Sequence, residues 1–166
     1  MTRVAIATAV FLAALPFAAR AQAPAAITTA AGVTGTFDRT SIVLAYYRSP
    51  LWNAILADRR FELETVKAAK DDARARELEK YGGESQELAM KQLAGKAPID
   101  NIVAVLRPEF KELSSRMKLT GVVESSAADP KAATVDVTSL LMDWLKASAE
   151  TRKMAADLNA QKPAAK

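Results

Sequence analysis

The sequence predicts an α+β fold that is predominantly helical: a small β-sheet body carrying a long antiparallel α-helical hairpin arm. Three observations predict it. Residues 51–81 contain neither Pro nor Gly and are mostly Ala, Leu, Glu, Lys and Arg, all good helix formers. Gly82-Gly83 comes next as a strong stop, and a second helical stretch of comparable length runs on to Met117. Short segments of strand character, 33–38, 119–124 and 135–137, lie on either side of these two legs.

The first leg opens at Pro50, a residue tolerated in a first helical turn. As one helix, residues 51–81 would be roughly 45 Å long. Trp52, Ile55, Leu56, Leu63 and Val66 form an apolar stripe that thins to Ala68, Ala69, Ala73, Ala75 and Leu78. Lys67 with Asp71 and Asp72 with Arg76 are spaced to pair, whereas Lys70 and Arg74 share that spacing with like charge. The charges read either as a solvated face or as a protruding arm whose thin stripe suits helix-on-helix contact. In the return leg Ser85 is a plausible cap, and Ala89, Met90 and Leu93 are its apolar residues. Gly95 and Pro98 interrupt it. Ile99, Ile102, Val103, Leu106, Phe110, Leu113 and Met117 then make one strong apolar face, with Pro108 as a kink or restart.

The chain has 166 residues, the length of a single domain, with no Cys and no His. The first absence removes disulfides, thiolate metal sites and a cysteine nucleophile. The second removes the usual neutral-pH general base and the commonest transition-metal ligand. Residues 1–21 read as a secretory signal peptide: Arg3, an apolar run over 4–17, then small residues. Cleavage fits after Ala21 or after Ala23, and Pro24 favours the first. An uncleaved anchor is the alternative. The mature protein is therefore expected to be exported to the periplasm. The leader holds Arg3 and Arg20 and no acids, which leaves 21 basic residues against 19 acidic and lowers the net charge from +4 to +2. No basic run with interleaved aromatics suggests nucleic-acid binding.

Residues 22–32 read as a flexible lead-in. Residues 33–38 alternate weakly as a strand, and Asp38 or Thr40 is placed to cap a helix starting near Ser41. The run 42–47 fits either a buried helix or a strand by periodicity; the cap favours a helix. Residues 119–124 read as a strand, 125–134 as a loop and 135–137 as an extended piece. Thr138 then caps a helix with Leu140, Leu141, Trp144 and Leu145 on one face, ending near residue 158. The organisation is thus a leader (1–21), a lead-in (22–32), a body (33–50 with 119–158), an arm (51–118) and a disordered tail (159–166).

In this order, and above all in 33–44, Leu119-Thr120-Gly121-Val122-Val123-Glu124, Val135-Asp136-Val137-Thr138 and Leu140-Leu141, the chain resembles the Skp/OmpH family of periplasmic chaperones. The resemblance spans roughly residues 33–146. It implies a sheet body that trimerises, helical arms that surround a client, and a holdase for unfolded outer-membrane or periplasmic proteins near the membrane surface. The departures are a return leg broken at Gly95, Pro98 and Pro108 and a first leg that is nearly neutral. Candidate client contacts are Leu63, Val66, Leu78, Met90 and Leu93. Packing between the two legs is the other reading of each. Candidate trimer contacts are Phe37, Val122, Val123, Leu141 and Trp144, because so small a body would bury them poorly by itself. The alternative function is a periplasmic structural or adaptor protein that binds one envelope partner through its arm. An enzyme is not expected, and neither catalytic residues, a cofactor nor a metal is assigned. Asp71-Asp72, Asp136 and Asp143 are the available carboxylates, but the adjacent pair points in different directions on a helix and Asp136 reads as a turn residue. Ser114-Ser115 lacks a nucleophile's context, Ser115 and Lys118 matching only in spacing.

Overall fold

Residues 32–161 are described by the structure, a computed structural model. The leader expected over 1–21 lies outside them, as do residues 22–31 of the lead-in and 162–166 of the tail. The described residues form six α-helices around a small, all-parallel sheet. This overturns the expected sheet body with a long antiparallel hairpin arm.

β1 (Thr34–Phe37) is the central strand. β2 (Val122–Glu124) pairs with it on one side and β3 (Thr134–Asp136) on the other, both parallel, with Gly35 opposite Val122 and Val135. A Cβ on Gly35 would lie 2.9 Å from Leu119 Cδ1 and 3.3 Å from the Gly121 carbonyl oxygen, so glycine lets the segment before β2 come close. Parallel strands need crossovers. Four helices make the first, and the loop from Ser125 to Ala133 makes the second.

α1 (Arg39–Tyr47) comes directly after β1. Asp38 Oδ1 accepts from the Ser41 amide and hydroxyl, both at 2.7 Å. Every residue of α1 from Thr40 to Tyr46 is buried. A helix covered on all sides has no periodic face, which is why 42–47 cannot be told from a strand by pattern. α4 (Asp100–Met117) lays Ile102, Leu106, Leu113 and Met117 into the same core, and Phe110 stacks on Phe37 with ring centroids 5.6 Å apart. Pro108 sits inside this single helix rather than dividing it. α4 therefore belongs to the core and is not the return leg of an arm. It supplies the wall that the body alone was expected to lack: Phe37, Ile42, Val43 and Leu141 are fully buried within one chain.

α2 (Pro50–Ala68) starts at the Ser49 cap, whose hydroxyl accepts the Trp52 amide. It ends far short of the diglycine. The Asp71 amide donates back to the Val66 carbonyl across Lys70, which takes a left-handed φ of 58°. Asp71 then caps α3 (Asp72–Leu93), which turns back along α2. Gly82 and Gly83 lie in the middle of α3, as does Ser85, the expected cap. The helix carries the cost of two glycines, about 1 kcal/mol each, with support from its Asp71 cap and from the Lys80–Glu84 and Lys91–Glu87 pairs.

The last expected helix is two: α5 (Thr138–Trp144) and α6 (Ala149–Ala160), divided where Lys146 takes φ 55° and Ser148 caps anew. Thr138 does not cap α5. Its hydroxyl accepts the Asp38 amide at 2.9 Å, while Asp136 accepts the Thr138 amide at 2.8 Å. Asn159, placed in the tail by sequence, is in α6 and donates to Asp38 Oδ1 at 2.8 Å. Asp38 thus ties β1, α1, α5 and α6 together.

A candidate binding groove between α2 and α3

Helical spacing puts Trp52, Leu56, Arg59, Arg60 and Leu63 along one side of α2. On α3 the same logic lines up Leu78, Tyr81, Gly82, Ser85 and Ala89. With Tyr47 of α1 these residues line a groove of about 590 Å³. The groove exists because α2 has no buried residue and α3 buries only Ala75, Leu78 and Gln92. Two ion pairs bridge the helices, Arg74–Glu62 at 2.6 Å and Lys67–Glu79 at 2.6 Å, beside the buried Ala75 and Leu78 of α3.

One end of the groove is a packed aromatic cluster. Trp52 lies edge-on to Tyr47, with centroids 4.9 Å apart, and Tyr46 packs 5.6 Å from it. Burial pushes both phenols above their ordinary pKa. The Tyr47 hydroxyl donates to Gln92 Oε1 at 2.9 Å. Gln92 is itself buried and donates to the Pro98 carbonyl at 2.7 Å and to Asn101 Oδ1 at 2.6 Å. This network ties the aromatic cluster to the start of α4. Further along, Arg59 stands over the Tyr81 ring at 5.2 Å and pairs with Glu62 at 2.8 Å. The Glu62 carboxyl, bonded first by Arg74 and then by Arg59, is held below its ordinary pKa.

Of the expected client contacts, Leu63 and Leu78 line this groove. Val66 is half-buried near the α2–α3 turn, and Met90 is 63 % exposed on α3. Leu93 packs against the main core. The expected trimer contacts are scattered. Phe37 and Leu141 are inside the core, Val122 and Val123 are half-buried on β2, and Trp144 is 40 % exposed near Leu51. Tyr47, Arg59, Arg60 and Tyr81 are not singled out by sequence. The four-residue steps linking Trp52, Leu56 and Arg60 carry the signal, but in sequence Tyr81 reads as the end of a helix.

Three of the four carboxylates weighed for catalysis have structural work, and the fourth, Asp72, lies in the first turn of α3. Asp71 caps α3, Asp136 accepts the Thr138 amide, and Asp143 accepts from Arg152 at 2.6 Å. Among the described residues no three acidic side chains gather where they could hold a metal ion. No described helix is long and apolar enough to cross a membrane. Compared with protein-family models, with curated proteins and with solved structures, the chain matches none.

Proposed function

We propose that the chain is an exported binding protein that holds apolar segments of unfolded polypeptides in the groove between α2 and α3. The groove carries this reading: an aromatic and aliphatic trough whose α2 wall contains no buried residue. Exposed Phe61, at 73 %, and Met90 extend apolar surface onto the outer sides of the two helices. Methionine adapts to varied partners. The client class and the periplasm come from the sequence resemblance to Skp/OmpH chaperones at 33–44 and 119–141, and not from the long hairpin arm that the resemblance implied, which the fold does not have. Self-association into a trimer, also implied by that likeness, would have to draw on Val122, Val123 and Trp144, since Phe37 and Leu141 are enclosed by the chain itself.

The test is dilution of a urea-unfolded β-barrel membrane protein into buffer with and without the chain, monitored by light scattering. The chain should suppress aggregation near stoichiometric amounts. Leu63→Asp, which charges the groove wall, should lose that protection while keeping its thermal midpoint, because Leu63 is only half-buried. Unchanged aggregation with the parent chain would reject the reading. The adaptor reading differs in breadth: capture of one folded envelope protein, with no effect on unfolded clients, would favour it.

A further inference from the structure

Three charged residues line the groove: Arg59, Arg60 and Glu79. Two of them are already matched. Arg59 is held by Glu62 and by the Tyr81 ring, and Glu79 is paired with Lys67 at 2.6 Å. Arg60 has no ion-pair partner among the described residues. An apolar trough bordered by one unmatched guanidinium is complementary to an apolar segment that carries a carboxylate. Guanidinium is suited to that role because it stays charged at any working pH and offers paired donors to the two carboxylate oxygens. Resting on the proposed groove reading, we infer that the groove selects among apolar polypeptide segments for those bearing an acidic residue, with Arg60 as the specificity-determining contact.

A Trp144→Phe chain makes Trp52, which lines the groove, the sole tryptophan and a reporter of occupancy. Three Trp-free Leu/Phe-rich peptides that differ only in one central residue, Glu, Gln or Lys, are titrated against it at low salt. The Glu peptide should bind about fivefold more tightly than the Gln peptide, the scale of one favourable exposed charge pair, and the Lys peptide more weakly than either. Adding Arg60→Glu should invert the order, and salt near 0.5 M should flatten it. Equal binding of all three peptides would overturn the inference and leave the groove reading standing. So would an order that persists in the Arg60→Glu chain, because the preference would then lie elsewhere. No change in Trp52 emission with any peptide would overturn the groove reading, and the inference with it.

Discussion

The two long helices α2 and α4 are nearly equal in length, yet they live in opposite environments. α4 sinks Ile102, Leu106 and Leu113 completely, against Phe37 of the central strand and the helices around it. α2 buries no residue and is held to α3 by Arg74–Glu62 and Lys67–Glu79, pairs that are a third or more exposed. Exposed ion pairs contribute little each, whereas a buried leucine contributes several-fold more. The molecule therefore has a firm core of sheet, α1, α4, α5 and α6, and a lightly held pair, α2 and α3. Binding surfaces are drawn from the weakly held parts of proteins, because a surface that must admit a partner cannot be fully packed beforehand.

The largest expected effect comes from exchanging alanine into equivalent leucines of the two regions. Leu106→Ala should cost about 3 kcal/mol by leaving a cavity in the core. Leu63→Ala should cost under about 1 kcal/mol. Urea unfolding of the two variants measures both, and similar losses would erase the distinction between the regions.

Acid should move the two regions in opposite senses. Glu62 has a folded pKa below its ordinary value of 4.5. Its contribution is complete above that value and fades as pH falls through the folded pKa. Glu109 in α4 is pushed above 4.5, by burial first and by Glu112 second, with Arg116 opposing. It favours the folded state in its protonated form, and that advantage fades as pH rises through the raised value. Lowering pH from neutral through 4.5 and then through the depressed pKa of Glu62 should therefore relieve the site of Glu109 first and then loosen α2 from α3. Amide chemical shifts in the two helices, tracked through an acid titration, would separate the effects. Glu109→Gln should give a small gain in stability at neutral pH and no change in the groove.

The smallest effects concern the helix ends. Among the described residues, the three non-glycine positions with positive φ are all lysines, Lys70, Lys118 and Lys146. Each is crossed by a closing bond, from Asp71 to Val66, Leu119 to Ser114 and Ala147 to Met142. Glycine removes the steric cost of this conformation. Lys118→Gly should raise global stability by about 1 kcal/mol. Lys70→Gly, at the tip of the loose pair, should leave the global midpoint nearly unchanged and slow local opening instead.

These lysines also explain what the sequence hides. Read without structure, a helix stop is sought at glycine, so the turn is expected at Gly82-Gly83 rather than at Lys70-Asp71, and nothing marks the break at Lys146. Features set by local chemistry are legible: the β1 strand, the Asp38 cap, the strand at 122–124 and the apolar face of α4. What that face meets is not legible. Periodicity reports that a helix has a buried side, and the same pattern serves an arm or a core. For the groove, Leu63 and Leu78 are visible as apolar residues on a charged stretch, whereas Tyr47 and Arg60 join them only once the turn is correctly placed.

A firm core and a lightly held pair, the pair proposed to take up a client, should differ in how easily they open. Native-state hydrogen exchange by residue tests this most directly. Amides of α1 and α4 should exchange only through global unfolding. Those of α2 and the first half of α3 should open at a free energy lower by at least about 2 kcal/mol, and should gain protection when an unfolded apolar peptide is added. Uniform protection across α2 and α4, or a peptide that leaves α2 and α3 unchanged, would contradict the account.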